Sequence, residues 1–90
     1  MGDCQITCIT LSGEKHHERI TQVGNSSIPW YLSTTETVQR IESKTDTFFV
    51  LDIYGRRANV GVVKPAGRTP YLRTYADGIW TDNLLSLGRC

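Results

Sequence analysis

Ninety residues with 39% hydrophobic and 21% charged content suffice for one globular domain and argue against wholesale disorder. A formal net charge of +1 and a pI near 7.7 speak against a dedicated nucleic-acid-binding domain, which typically exceeds a pI of about 9. No window approaches the roughly 18 apolar residues of a membrane span, and Met1–Gln5 lacks the basic-then-apolar opening of a secretion signal, so the expectation is a cytoplasmic protein with reduced thiols.

In chain order, Cys4 to Leu11 is rich in β-branched side chains and predicts a strand, turned by Ser12-Gly13-Glu14 into a returning strand over Glu18 to Val23. Gly24-Asn25-Ser26-Ser27 breaks the pattern, and Pro29 keeps Ile28 extended. Ser33 and Glu36 have the spacing of a capping box, predicting a helix to about Lys44 with Val38 and Ile41 on its apolar stripe. Phe48–Tyr54 and Ala58–Val63 read as a hairpin joined by Gly55-Arg56-Arg57. Its inward face is expected to carry Phe49, Leu51 and Ile53 with Ala58, Val60 and Val62. The other face would then hold Tyr54 and Val63 with Phe48 and Val50, an apolar surface suited to a dimer. Tyr71–Tyr75 predicts a further strand turning at Asp77-Gly78 into Ile79-Trp80, which sets Tyr75 opposite Trp80 if the turn has two residues. Asp82 would cap a last helical turn carrying Leu84, Leu85 and Leu87.

The expected fold is therefore α+β: a single domain over 1–90 with an antiparallel sheet of four to five strands, in β-β-α-β-β-β order, packed on one helix. At this length only about two-thirds of the chain's surface is buried on folding, so oligomerisation, a metal or a disulfide could each add stability.

Ile6-Thr7-Cys8-Ile9, His17-Glu18-Arg19-Ile20-Thr21, Trp30 and the block Tyr71–Cys90 (YLRT-x-x-DG-x-x-x-DNLL-x-L-x-x-C) carry a resemblance over nearly the whole chain. The sequence resembles a family of small bacterial and phage proteins known only as a domain of unknown function. Where that family often has a proline before the terminal cysteine, this chain has Gly88-Arg89. The resemblance implies a compact stand-alone domain and brings no catalytic residues with it.

The residues bearing chemistry form three groups. Arg73, with Arg56 and Arg57, offers guanidinium forks that fit phosphates, and Tyr75 and Trp80 offer rings that could stack a base. Cys8, His17 and Cys90 are weak metal candidates. Cys8 faces His17 only if Ser12-Gly13 is a two-residue turn, and Cys4 lies about 13 Å along the strand from Cys8. Asp77, Asp82 and Asn83 fit turn and cap roles and no calcium loop. With no glycine-framed serine, phosphate loop or His-Cys signature, no enzyme and no cofactor is expected. The sequence points to a non-catalytic binding or interaction module, a homodimer or higher oligomer with no nucleic-acid or membrane partner. Two alternatives stand beside it: an oligomeric protein sequestering a nucleotide-like phosphate ligand, and a zinc-stabilised small domain.

Overall fold

The computed structural model describes residues 2–76 and 78–90. Met1, and the Asp77 of the expected Asp77-Gly78 turn, lie outside the described residues. Among those described, the elements in order are β1 (Gly2–Gln5), β2 (Cys8–Leu11), a 3-10 turn (His17–Arg19), β3 (Ile20–Asn25), β4 (Trp30–Ser33) and α1 (Thr34–Glu42). They continue with β5 (Asp46–Leu51), β6 (Arg57–Val63), β7 (Tyr71–Ala76), β8 (Ile79–Thr81) and β9 (Gly88–Arg89).

The strands form two sheets, β1-β5-β6-β7-β8 and β4-β3-β2-β9. The chain is a small domain with one helix and mostly sheet, more sheet-rich than the single antiparallel sheet of four to five strands expected from its sequence. Each sheet also ends in a parallel pair, β1 with β5 and β2 with β9.

The division begins inside the first predicted strand. The Ile6 N–H donates to the Phe49 carbonyl at 2.8 Å, while the Thr7 N–H donates to the Gly24 carbonyl at 2.8 Å. Adjacent amides thus serve different sheets, and Ile6 is buried in the core where the chain crosses between them. Strand propensity runs through this point unchanged because it reports a fit to a pleated surface, not the identity of the partner strand.

The connection from β2 to β3 is also longer than expected. Cys8 pairs with Gly24, Ile9 with Val23 and Thr10 with Gln22, with a register shift before Leu11 meets Ile20. Residues 12–19 form the loop and 3-10 turn, closed by the Ser12 N–H on the Arg19 carbonyl at 2.8 Å.

The helix starts as the capping box predicts. Ser33 Oγ accepts the Glu36 N–H at 3.1 Å, and the two side chains meet at 3.3 Å. Its end falls slightly short of the prediction, at Glu42. There the Lys44 N–H reaches the Ile41 carbonyl and the Thr45 N–H the Arg40 carbonyl, with Lys44 at φ 59°. That is a Schellman termination, built on lysine at a position where glycine would be unstrained.

The β5–β6 hairpin corrects the predicted faces. Phe48 and Val50 are the buried residues of β5, facing inward with Ala58 and Val60, whereas Leu51, Ile53 and Tyr54 are exposed. Side chains alternate every residue, so placing the strand one position out of phase exchanges its entire inner and outer sets. The tip spans 52–56 because Asp52 Oδ1 accepts the N–H groups of Tyr54 and Arg56 at 2.8 and 2.9 Å, closing an Asx-type turn.

The core draws on both sheets, the crossing segment and the tail: Ile9 and Val23 from one sheet, Phe48, Val50, Val60 and Leu72 from the other, with Ile6 and Leu84. Val38 and Ile41 of α1 pack against it as the stripe predicted. Buried Asn25 closes the β3–β4 turn by accepting the Ser27 and Ile28 N–H groups and donating to the Gln5 carbonyl. Gly24 in β3 is required by packing. A methyl group there would overlap the Tyr31 ring and stand 2.7 Å from the Trp30 carbonyl oxygen.

Candidate functional site

The solvent side of the five-stranded sheet gathers most of the candidate ligand residues. Asn59 in β6 pairs with Phe49 of β5 on one side and Tyr75 of β7 on the other, and Tyr75 pairs with Trp80 of β8. Alternation therefore sets a row of Phe49, Asn59, Tyr75 and Trp80 across four strands on one face. Tyr75 and Trp80 meet edge to face with ring centroids 5.6 Å apart, the cross-strand pair the sequence predicts. Beneath them Gly61 supplies a bare floor: a Cβ there would be 3.0 Å from the Tyr75 ring and 3.3 Å from the Trp80 ring. Both rings stay substantially open to solvent, at 37% and 45% exposure. A glycine inside a strand signals such an approach, so Gly61 was a readable cue for this site.

The arginines are positioned there, but each is already paired with an aspartate. Arg57 forms a fork with Asp3, Nη1 to Oδ2 at 2.7 Å and Nη2 to Oδ1 at 2.9 Å. Its Nε donates to Asn59 Oδ1 at 2.9 Å, and its guanidinium lies 4.2 Å above the Phe49 ring. It thus ties β1 to β6 across the intervening β5, and it holds the Asp3 carboxyl below the usual carboxylate range. Arg56, at the hairpin tip, donates through Nε to Asp52 Oδ2 at 2.8 Å and covers the Tyr54 ring at 5.0 Å. Arg73 donates to the Thr81 carbonyl at 3.2 Å and to Asp82 Oδ1 at 3.1 Å. The sequence-selected set Arg73, Tyr75, Trp80 and Arg57 shares one face, with Arg56 at its end, but its guanidinium forks are engaged. The aspartates that neutralise them sit far away in sequence or at turns, where composition alone marks them only as solubilising.

Cys8, His17 and Cys90 do not converge. Cys8 lies opposite Gly24, and its sulfur is bonded to Cys90, with Cα atoms 4.9 Å apart. Both thiols expected to be reduced are therefore consumed in a disulfide and are unavailable as metal ligands. Among the described residues no three histidine, cysteine or acidic side chains are arranged to hold a metal ion. Cys4 remains a free thiol, kept above the usual cysteine range first by burial and then by the Asp46 and Asp3 charges.

His17 packs instead against the end of β7, stacked on Tyr71 at 6.4 Å between ring centroids. Its Nε2 is enclosed without a hydrogen-bond partner and stands 3.7 Å from Asp82 Oδ1. Asp82 thus turns its carboxylate to Arg73 and His17 and does not cap the turn that follows. Burial, and then the Arg73 charge, hold the His17 imidazole below the ordinary histidine range, outweighing the opposite pull of Asp82. The pair is consequently a neutral imidazole beside a carboxylate and not an ion pair. A folded-state value below the unfolded value of about 6.5 means the neutral form favours folding. Its contribution is complete above about pH 6.5 and is lost as the pH falls through the folded-state value. Thermal melts between pH 7.5 and 5 are expected to show wild-type Tm dropping with acid more steeply than that of His17→Gln. Parallel profiles would contradict this assignment.

A concavity of about 1040 Å³ lies between the 3-10 turn, the start of α1 and the loop before β7. His16, Arg19, Glu18 and Arg68 line it; Arg68 already contacts Glu18 at 3.3 Å, and the mixed charge selects no ligand class. Among the described residues no helix is long and apolar enough to cross a membrane.

A family model described as "Protein of unknown function (DUF3892)" matches residues 5–88. No curated protein and no solved structure matches the chain.

Proposed function

The chain belongs to the DUF3892 family of proteins of unknown function, a description that brings no activity with it, and we propose from its own surface that it is a non-catalytic interaction module that self-associates through one end of its five-stranded sheet. The observation that carries this reading is the placement of its exposed large apolar residues. Leu51, Ile53 and Tyr54 at the β5–β6 tip, with Tyr75, Ile79 and Trp80 at the β7–β8 end, are all substantially exposed. Arg57 and Leu51 pair at one hairpin end, and Ala76 and Ile79 at the other, so antiparallel register brings both tips to the same end of the sheet. Large apolar side chains gathered at one sheet end point to an interaction site, whereas singly scattered ones need no explanation.

Two further features support a second copy as the partner. Arg56, Arg57 and Arg73 are each neutralised by an aspartate of the same chain, so two copies facing across a two-fold axis meet no like-charge penalty. The three-residue strand β8 ends its sheet and leaves a short edge beside Trp80. Nucleotide capture, by contrast, would require Arg73 to exchange Asp82 for a phosphate.

Sedimentation over a concentration series tests the reading. A concentration-dependent dimer is expected, with Trp80→Ala and Ile79→Lys, at a residue that is 68% exposed, each weakening it by about tenfold or more, as central interface anchors do. A wild-type monomer at every concentration up to about 1 mM, where binding would be weaker than about −4 kcal/mol, would sink self-association.

A further inference from the structure

Residues 82–90 are held by few backbone bonds to the rest of the fold apart from one covalent bond. Strand β9 contributes two residues, parallel to β2 through Cys8–Gly88 and Ile9–Arg89, and the Cys90 N–H adds one bond to the Ile9 carbonyl at 3.0 Å. Between β8 and β9 the backbone bonds are single-turn ones, Leu85 to Asp82 at 3.0 Å, Ser86 to Asn83 at 3.2 Å and Leu87 to Leu84 at 3.3 Å, and the segment's ion pair to the rest of the fold is the exposed Asp82 on Arg73. Leu84 is its one fully buried side chain; Leu85 and Leu87 are partly buried. One leucine buried fully, two in part and an exposed ion pair do not offset the backbone entropy of ordering residues 82–90, about 1–2 kcal/mol for each residue. The Cys8–Cys90 bond joins positions 82 apart in sequence and supplies the missing constraint.

We propose that the Cys8–Cys90 disulfide is a redox latch: a dithiol reductant opens it, releases residues 82–90 and exposes the β2 edge. The approach is asymmetric. Cys90 is the exposed end of the bond, whereas Cys8 is 4% exposed, so the reductant's thiolate attacks the Cys90 sulfur and Cys8 departs as a thiolate that takes a proton from solvent. The reductant's second thiolate then displaces Cys90 from the mixed disulfide. The reductant leaves oxidised to its own disulfide, and the protein holds two thiols, a balanced two-electron exchange. Without β9, β2 becomes the edge of a three-stranded sheet with β3 and β4. Its outward N–H and C=O groups are then free to receive another strand.

The test is a pair of ¹H–¹⁵N spectra of the intact protein, oxidised and after treatment with a thioredoxin-type dithiol, with full-length Cys90→Ser as the unreducible counterpart. The expected result is movement of the residue 84–90 amides to coil positions and shifts along β2. Signals of β5, β6 and β7 remain dispersed, Cys90→Ser matches the reduced spectrum, and reoxidation restores the original. Native tail shifts in the reduced protein would show the bond to be redundant and overturn the latch. Collapse of the whole spectrum overturns it too, since the bond would then be a staple for the entire fold. So does a disulfide that the dithiol leaves intact under native conditions.

Discussion

Cys90→Ser is expected to lower global stability by about 4 kcal/mol, and reduction of the wild type by the same amount. The bond closes a loop with a sequence separation of 82, and for a loop of that order the chain-entropy relation gives about 4–5 kcal/mol, with typical measured values of about 2–4. For a 90-residue domain whose total stability is on the order of 5–13 kcal/mol, that is a large share. Cys90 is the better site for the substitution because it is exposed. Serine at Cys8, 4% exposed among Ile9 and its neighbours, would add the separate cost of burying a hydroxyl. Denaturant unfolding of the variant, and of wild type with and without a phosphine reductant, measures the effect. A difference below about 1 kcal/mol would mean that the unfolded chain gains little freedom from the cut.

Phe48→Ala is expected to cost about 3–5 kcal/mol and Phe49→Ala about 1–2 kcal/mol. Phe48 is 2% exposed, and its ring centroid lies 5.9 Å from that of Trp30, so truncation opens a void between the two sheets. Phe49, one residue on, points to the opposite face, where the Arg57 guanidinium covers its ring at 4.2 Å. Losing that contact exposes little core and leaves Arg57 on Asp3. Equal or reversed costs in urea melts would place β5 in the opposite phase and refute the inward assignment of Phe48.

These two substitutions also mark where the sequence was legible and where it was not. Ser33 and Glu36 announced the helix start because a capping box is satisfied within four residues. Tyr75 opposite Trp80 was readable because a tight hairpin fixes its own register. The run Phe48–Val50 was recognisably a strand, yet its phase was not. Phe48, Phe49, Val50 and Leu51 are all apolar, so no alternation distinguishes the core side. The ligand candidates Arg57 and Arg73 lie on one sheet face in the fold, which their spacing did not show, and their partners Asp3 and Asp82 carry no local mark of the pairing.

By itself the sequence determined one domain, the capped helix, most of the strands and the Tyr75–Trp80 contact. Each follows from composition or from interactions among residues a few positions apart. Tertiary structure alone decided that one β-rich run would divide at Ile6-Thr7 between two sheets. It also set which face of β5 is buried, neutralised the arginines, and brought Cys8 to Cys90 and not to His17. Those outcomes depend on which distant segments meet when the core closes, and neither residue type nor local spacing encodes that choice.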